Sequence, residues 1–261
     1  MGIEQILLAV SWTDERRIAR ILETLRVLPL PVFLLPDQFV DSVLRMKQEG
    51  GSELLIELQR APLSRAEATA KRIFDVVLAG AILFPLIPIL AIASIAILAE
   101  SGRPILFRQK RRGFNGRGFE ILKFRTMRVL EDGSKIRQAT RNDPRVTSLG
   151  RILRGTSIDE LPQIFNVLRG DMSLVGPRPH AIAHDDEFTV TIANYAYRHH
   201  MKPGITGLAQ VRGLRGETPN LSLMEGRVEL DLWYISNWSF WLDLWILIRT
   251  FGAVVFQRNA Y

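Results

Sequence analysis

The stretch VVLAGAILFPLIPILAIASIAILA, residues 76–99, carries no charge and decides how this chain meets its surroundings. About 20 apolar residues in a helix cross the hydrocarbon core of a bilayer, so the run is long enough to span one. Basic residues nevertheless flank it on both sides: Lys71 and Arg72 precede it, and five more lie between positions 103 and 112. Because basic flanks favour the cytoplasmic face, both ends are predicted to lie on the same side of the membrane.

Two prolines lie in the middle of this run, at Pro85 and Pro88. Proline lacks a backbone donor and clashes with the preceding turn, so these are the positions where a helix is expected to break. We therefore predict a re-entrant helix–break–helix that enters the membrane, breaks at Pro85 and Pro88, and returns. The resulting protein is monotopic, with its folded domain on the cytoplasmic surface of the inner membrane.

Composition limits the remaining possibilities. The 261 residues suffice for one sizeable domain and a smaller one, and a hydrophobic content of 47% suits a globular protein with one membrane element. The absence of cysteine excludes a disulfide framework, a thiolate metal site and a thiol nucleophile. The apolar run begins far from Met1, so a cleaved signal peptide is not expected.

Positive charge is concentrated next to the apolar run. The formal net charge is +7, yet residues 103–154 alone contain 15 Lys/Arg against 4 Asp/Glu, an excess of +11. A nucleic-acid surface, a patch on anionic lipid and a pocket for phosphorylated substrates all explain such an excess. The neighbouring membrane segment favours the last two, and no nucleic-acid-binding motif accompanies the charge, so nucleic acid is not an expected partner.

The predicted fold class is α+β, in three parts. Residues 1–62 form a small, partial α/β accessory piece with too few elements for a complete doubly wound domain, and no glycine-rich phosphate loop follows its first strand. Residues 63–102 form an interfacial helix and the re-entrant membrane helix, and residues 103–261 form a mostly helical domain with a β-hairpin. In the first part, periodicity predicts strands at 6–10, 32–35 and 54–58 and a helix at 14–27.

Within the third part, the Asn-Gly pair at 115–116 is typical of a hairpin turn, and it joins predicted strands at 105–109 and 119–125. Helices are predicted at 149–154 and 160–168, the second closed by Gly170. Near the end of the chain, helical spacing places Trp238, Trp241 and Trp245 on one face. Such a face fits an in-plane membrane helix, and ordinary core packing is the alternative.

The segment TSIDELP, residues 156–162, combines two adjacent carboxylates in a basic region. Ser157 and Glu160 have the spacing of a capping box, and Asp159 is itself a good helix cap three residues before Pro162. A carboxylate beside arginines also stays ionised and can act as a nucleophile. Both explanations are open on spacing alone.

Two further segments are candidates for phosphate binding. Lys123 and Arg125 share one face of a predicted strand, and the segment 176–179, GPRP, holds Arg178 on a stiff backbone. A solvated strand face and a plain loop are the alternatives. Neither segment identifies its ligand alone.

Taken together, four motifs in order resemble the bacterial sugar transferases, the monotopic polyprenyl-phosphate phosphoglycosyl transferases, over residues 65–256. The motifs are KRIFD from Lys71, FRQKRRGFNGRGFEILKFRTM from Phe107, NDPRVTSLGRILRGTSIDELPQIFNVLRGDMSLVGPRPHA from Asn142, and KPGITGLAQVRGLRGET from Lys202. Larger family members carry several transmembrane helices and a full nucleotide-fold-like domain ahead of the catalytic unit. Residues 1–62 resemble only the end of such a domain.

The resemblance implies transfer of a hexose-1-phosphate, glucose or galactose, from a UDP-sugar to undecaprenyl phosphate, with release of UMP. This is the first membrane step of exopolysaccharide synthesis, and the exopolysaccharide branch is the most similar. Expected partners are the two substrates, membrane lipids and a second copy in a homodimer. A non-catalytic membrane scaffold of a polysaccharide assembly complex, or phosphotransfer with another donor or lipid acceptor, are the alternatives.

By the same resemblance, Asp159 is the nucleophile that forms an aspartyl-phosphosugar intermediate. Glu160 assists it in acid–base chemistry or in positioning a metal, and Mg²⁺ is expected as cofactor at Asp159 and Glu160. The residues expected to contact substrate are Lys123, Arg125, Arg154 and Arg178, with Asp171 and Asp231 as further polar participants.

Overall fold

The computed structural model describes residues 3, 5–25, 28, 30–35, 55–59, 62–128, 143–214 and 220–256, the last four of these without their side chains. Contacts divide the chain into two compact units, Met1–Pro62 and Leu63–Tyr261.

The first unit contains a three-stranded sheet and one helix. Strand β1 (Ile6–Leu8) pairs in parallel with β2 (Val32–Leu34), β3 (Ile56–Gln59) is antiparallel to β2, and helix α1 (Glu15–Leu25) connects β1 to β2. Leu8 and Val32 are buried at the centre of a small apolar cluster. The predicted strands and helix are therefore confirmed, with shorter bounds for β1 and β2 and with β3 extending one residue past its predicted end. The predicted helix end at 26–27 and the predicted start of the third strand at 54 lie outside the described residues.

The second unit begins with the long helix α2 (Arg65–Ser101). Ser64 and Glu67 form a reciprocal capping box at its start, which satisfies two backbone donors. Large apolar side chains in its middle face outward, with Phe84 80% exposed and Ile92 68% exposed. Among the described residues, α2 is the one helix long and apolar enough to cross a membrane.

The predicted break in this helix is not confirmed. The helix runs from one end to the other with Pro85 and Pro88 inside it. Each proline removes one backbone donor, but intact hydrogen bonds before and after it can hold an apolar helix together, as they do in membrane helices.

The hairpin follows. Strand β4 (Leu106–Arg112) pairs antiparallel with β5 (Gly118–Phe124) around a single 3₁₀ turn. Asn115 and Gly116 both have positive φ, 56° and 65°, which is the backbone that Asn-Gly adopts readily. The predicted hairpin is confirmed; its first strand is longer than predicted, and its second is shifted by one residue.

The rest of the second unit is mostly helical and surrounds a core that includes Val167, Met172, Tyr234 and Ile246. Strands β6 (Ser173–Val175) and β7 (Gly204–Thr206) form a short parallel pair within it. The elements in order are α3 (Ser148–Gly155), a 3₁₀ turn (Ile158–Glu160), α4 (Gln163–Arg169), β6 (Ser173–Val175), α5 (Ile182–Thr191), a 3₁₀ helix (Tyr195–His200), β7 (Gly204–Thr206), α6 (Leu208–Val211), α7 (Leu221–Ser236) and α8 (Phe240–Phe256).

Two predictions for these helices need correction. Helix α4 begins at Gln163 rather than at Glu160, because residues 158–160 form a separate 3₁₀ turn; it does end at Gly170, whose φ is 95°. The predicted tryptophan face is wrong. Helix α8 begins only at Phe240, so helical spacing does not extend back to Trp238.

The tryptophans have separate surroundings instead. Trp238 and Trp245 pack against the core, while Trp241 is 74% exposed. The Trp238 indole donates a hydrogen bond to the Asp243 carboxylate at 3.1 Å. Core packing, the alternative stated for the aromatic face, therefore holds for two of the three.

The KRIFD motif attaches the start of α2 to this unit. Lys71 donates to the Asp243 carboxylate at 2.5 Å, to the Tyr234 hydroxyl at 3.3 Å and to the Val175 carbonyl at 3.0 Å. The Tyr234 hydroxyl also donates to Asp243, at 2.7 Å. We call Lys71, Tyr234, Trp238 and Asp243 the anchor cluster.

The other polar residues of the motif contact backbone. Arg72 donates to the carbonyls of Val167 and Leu168 at the end of α4. Asp75 accepts from the Leu174 amide at 3.0 Å, at the start of β6. Lys71, Arg72 and Asp75 together hold the first turns of α2 against the rest of the unit.

The far end of α2 is attached to the same unit. Arg125 donates to the carbonyls of Ser101, Gly102 and Arg103, at 2.6, 2.6 and 2.9 Å. Glu100 accepts from the Leu149 amide at 3.0 Å. Both ends of the apolar helix are thus held by one folded unit.

Candidate active site

The two adjacent carboxylates lie on the 3₁₀ turn between α3 and α4. Ser157, which precedes the turn, has a φ of 59°, a backbone that is strained for a residue other than glycine. Among the described residues, the Ser157 side chain does not cap this turn, and α4 has no side-chain cap at Pro162. Capping therefore does not account for Asp159 and Glu160.

Glu160 is held between two cations. Its Oε1 accepts from Lys123 Nζ at 2.7 Å and from Arg178 at 2.6 Å, and its Oε2 lies 3.3 Å from the second Arg178 nitrogen. Burial alone would raise the pKa of Glu160, but Arg178 and Lys123 outweigh it and hold that pKa well below its usual value. Glu160 is therefore ionised at neutral pH.

Asp159 has different surroundings from its neighbour. It makes no hydrogen bond with any residue that the structure describes. Burial, and then the negative charge of Glu160, raise its pKa to about 6, against the opposing pull of Lys123, Arg154 and Arg178. The result is a carboxylate with open acceptor oxygens that is mostly ionised above pH 6. We call Asp159, Glu160, Lys123, Arg154 and Arg178 the acid cluster.

Close packing between α3 and the hairpin positions Arg154. The Thr147 amide donates to the Thr126 carbonyl at 3.0 Å, where α3 begins. A Cβ atom at Gly150 would lie 2.3 Å from that same carbonyl oxygen, so only glycine allows this approach. Arg154, one turn further on, then donates through Nε to the Thr126 hydroxyl at 2.9 Å.

Arg178 is positioned by the pairing of β6 with β7. The Gly176 amide donates to the Thr206 carbonyl at 2.9 Å, and the Gly204 amide donates to the Pro177 carbonyl at 3.0 Å. A Cβ atom at Gly176 would lie 2.3 Å from the Lys202 carbonyl oxygen. The glycines of the GPRP and KPGIT segments thus permit a backbone contact that fixes the residue before Arg178.

A second support for Arg178 comes from a buried pair behind it. Arg198 donates to the Arg178 carbonyl at 2.7 Å, and Asp231 accepts from Arg198 at 2.9 and 2.8 Å. Arg198 also donates to the Tyr195 hydroxyl at 3.0 Å. No sequence pattern marks Arg198, because its partner Asp231 lies 33 residues away.

The structure brings together four of the expected site residues around Asp159: Glu160, Lys123, Arg154 and Arg178. It places Asp231 one layer behind them, on Arg198. This layer is the part of the site that spacing alone did not locate.

Two other expected residues lie elsewhere. Strand β5 ends at Phe124, so the alternation that would align Arg125 with Lys123 stops there, and Arg125 turns to the carbonyls at the end of α2. Asp171 follows the far end of α4, where it lies 3.4 Å from the Asn166 side-chain amide. Pro85 and Pro88 are inside α2.

The arrangement suits a phosphorylated ligand and a metal bound largely by that ligand. Within the described residues, no group of three or more His, Asp or Glu side chains is placed to hold a metal ion. Glu160 has its oxygens on cations, whereas Asp159 has open oxygens. Mg²⁺ commonly binds one or two carboxylates and completes its shell with substrate phosphates and water, and Asp159 fits that requirement.

An open carboxylate among three cations, on a unit whose described residues include one long apolar helix, is what a membrane-associated protein that binds phosphorylated ligands would need. Comparison of the sequence with known families identifies the class: the chain belongs to the bacterial sugar transferase family, whose profile matches residues 66–257.

Named relatives agree with this assignment. A Klebsiella pneumoniae protein named UDP-glucose:undecaprenyl-phosphate glucose-1-phosphate transferase is 42% identical over 260 residues, which cover 99% of this chain and 56% of the relative. A Caulobacter vibrioides protein of the same name is 53% identical over 211 residues, 80% of this chain and 79% of the relative. An Aeromonas hydrophila protein, named UDP-N-acetylgalactosamine-undecaprenyl-phosphate N-acetylgalactosaminephosphotransferase, is 41% identical over 189 residues, 72% of this chain and 44% of the relative. The chain thus spans about half the length of the Klebsiella relative.

Proposed function

We propose that this chain transfers a hexose-1-phosphate from a UDP-sugar to undecaprenyl phosphate and releases UMP. The observation that carries the proposal is the Asp159 carboxylate, whose oxygens are open to a ligand. The positive charges of Lys123, Arg154 and Arg178 act on it. Glu160, by contrast, is already hydrogen-bonded to Lys123 and Arg178. Glucose is the proposed sugar, because the Klebsiella and Caulobacter relatives are named for it. The Aeromonas relative is named for N-acetylgalactosamine, so the donor must be tested directly.

In the first step, an Asp159 oxygen attacks the phosphorus that carries the sugar. A new bond forms between that oxygen and phosphorus, the bond to the bridging diphosphate oxygen breaks, and UMP leaves with the electron pair. Lys123, Arg154 and Arg178 offset the negative charge that develops on the leaving phosphate. The product is an aspartyl-phosphosugar.

In the second step, a phosphate oxygen of undecaprenyl phosphate attacks the same phosphorus. The bond between phosphorus and the Asp159 carboxylate breaks, which restores Asp159 and yields a lipid-linked diphosphosugar. The same three cations serve both steps, since in each step a phosphate anion enters or leaves the site beside Asp159.

Glu160 has a positioning role in this scheme. A carboxylate with a lowered pKa and two cationic partners is a weak proton acceptor, and it holds no proton to donate at neutral pH. Its contacts instead keep Lys123 and Arg178 beside Asp159. When bound, Mg²⁺ would neutralise diphosphate charge, with Asp159 as its protein ligand.

We also propose that α2 enters the membrane from the cytoplasmic side without crossing it. A straight span would separate its two ends by the ~30 Å of the hydrocarbon core. Support for the monotopic arrangement comes from Lys71 and Arg125, which attach opposite ends of α2 to one folded unit. One water-soluble substrate and one lipid substrate then meet at the membrane surface.

The test is covalent labelling without the lipid acceptor. Purified protein incubated with radiolabelled UDP-glucose is expected to release UMP and retain label, and Asp159→Asn is expected to lose both. Asp186→Asn is the matched control, because Asp186 is an exposed acid paired with Arg112 away from the acid cluster. Label that survives in Asp159→Asn contradicts the proposed nucleophile.

The donor panel separates the alternatives. Release of UMP from UDP-galactose but not UDP-glucose would change the sugar only. Release of CMP from a CDP-activated donor would indicate a different phosphotransferase. No release from any donor in membranes that contain undecaprenyl phosphate would favour the non-catalytic scaffold.

A further inference from the structure

An apolar groove lies between α2 and the base of the hairpin, with a volume of 1210 Å³. This is above the ~300–1,000 Å³ usual for small-molecule pockets. Its lining residues on α2 recur at helical spacing, so they form one face of that helix. They include Leu83, Leu90, Ser94 and Leu98, and residues 83 to 98 cover about 22 Å along a helix that rises 1.5 Å per residue.

The opposite wall of the groove adjoins the acid cluster. Phe107 on β4 lines the groove and pairs in register with Lys123 on β5. Side chains directly opposite in an antiparallel pair lie on the same face with Cβ atoms about 5 Å apart. Pro162, two residues after Glu160, lines the groove as well. An apolar channel therefore ends next to the cations that would bind a phosphate.

The few polar groups of the groove do not point to a polar ligand. The Ser94 hydroxyl donates to the Leu90 carbonyl of its own helix at 2.7 Å. Arg103 and Arg108 line the groove but are exposed. A ligand that matches these walls is apolar along its length and anionic at one end.

We propose that this groove binds the isoprenoid chain of the lipid acceptor, with the acceptor phosphate beside Lys123. The inference rests on the proposed function and adds to it the place where one substrate is held. The UDP-sugar, which is polar throughout, gains nothing from these walls. Selection of the acceptor by its chain would then occur in the groove and not in the acid cluster.

The groove also explains how the two substrates avoid competing for space. The donor reaches the acid cluster from water, whereas an acceptor chain along α2 brings its phosphate from the membrane side. Each substrate then brings its phosphate to the acid cluster by a separate route. Chain binding should consequently affect the second step alone.

The test narrows the groove with one larger side chain. Ser94→Phe places a ring at the centre of the lining face, and Ile92→Phe places the same ring two residues away, on the opposite, exposed face at similar depth. Ser94→Phe is expected to raise the KM for undecaprenyl phosphate about tenfold, because the ring occupies space along the path of the isoprenoid chain. The KM for UDP-glucose and the lipid-free labelling of Asp159 should not change. Ile92→Phe should alter neither KM by more than about twofold.

Chain length provides a second measurement. With a two-isoprene phosphate as acceptor, which is too short to follow the groove, Ser94→Phe and the parent protein are expected to have equal KM values. If Ser94→Phe lowers the melting temperature, Ala91→Leu, a smaller addition to the same face, replaces it with the same expectation. Equal effects of the groove variant and Ile92→Phe would overturn the proposal, because ordinary bilayer lipid then fills the groove.

The two proposals fail in different ways. A parent protein that releases no UMP from UDP-sugars refutes the proposed function, and the groove assignment with it. A parent protein that transfers sugar normally, with a Ser94→Phe variant whose KM for the long acceptor equals that of the parent, refutes only the groove.

Discussion

The anchor cluster and the acid cluster use the same kinds of side chain but differ in how completely they are paired. In the anchor cluster, all three donors of Lys71 are used, and Asp243 accepts from Lys71, Tyr234 and Trp238. In the acid cluster, Asp159 has no hydrogen bond from any described residue, although Glu160 beside it is doubly paired. Complete pairing is what a buried ion needs to stabilise a fold, and an open carboxylate among cations is what a ligand needs.

The largest expected effects are a loss of activity from a substitution in the acid cluster and a loss of stability from a substitution in the anchor cluster. Asp159→Asn should lower turnover on the order of 10³-fold or more, since the amide is not a nucleophile. Its melting temperature should stay at or above that of the parent, because the substitution removes a buried like charge next to Glu160. UMP release and thermal unfolding of the same preparation check both halves.

Asp243→Asn should show the reverse pattern. Removing one partner of a buried ion pair leaves Lys71 without its directly paired carboxylate, at a cost of about 3–5 kcal/mol of stability. Denaturant unfolding in detergent measures this loss. An Asp243→Asn protein that is as stable as the parent but inactive would break the comparison, because the anchor cluster would then have a direct part in the reaction.

The pH dependence sharpens the contrast between the two carboxylates of the acid cluster. Since burial and Glu160 raise the pKa of Asp159 to about 6, protonation removes the nucleophile as the pH falls through 6. Covalent labelling should fall about tenfold between pH 7 and pH 5. Glu160, whose pKa is held low by Arg178 and Lys123, should not titrate in that range. An acid limb centred near pH 4 would contradict the assignment of Asp159.

A smaller effect is expected for the layer behind the site. Arg198→Lys keeps the charge next to Asp231 but loses donors, so the contact to the Arg178 carbonyl is weakened. Donor KM should rise about tenfold with kcat changed less, because Arg178 is displaced and the nucleophile is not. A parallel loss of kcat and of melting temperature would indicate a structural role alone. Arg227→Lys serves as a comparison on the same buried layer.

Much of the fold could be predicted from local pattern. The hairpin follows from Asn115 and Gly116, and the glycine end of α4 follows from Gly170, because both depend on backbone conformations that few residues adopt. The proline break was predicted from the chemistry of Pro85 and Pro88, and the tryptophan face from helical spacing. Periodicity does not show where one helix stops and another begins, as at Trp238.

The site was predictable to the extent that its residues are neighbours in sequence or in a motif. Asp159 and Glu160 are adjacent, and Lys123 lies within a strand of the predicted hairpin. Arg125 and Arg198 could not be assigned, because the first depends on where β5 ends and the second on a partner 33 residues away. Tertiary contacts of this kind leave no mark on spacing.

The hydrogen bonds from Arg125 to the carbonyls at the end of α2 fix the position of the neighbouring Lys123 relative to that helix. Lys123 lies two residues before Arg125 on the same chain, about 7 Å away at 3.3 Å per residue. The distance between the phosphate-binding Lys123 and the C-terminal end of α2 is therefore set by the polypeptide itself. In a thicker or thinner bilayer α2 would tilt or insert differently, yet the acid cluster would stay at the same distance from the C-terminal end of α2.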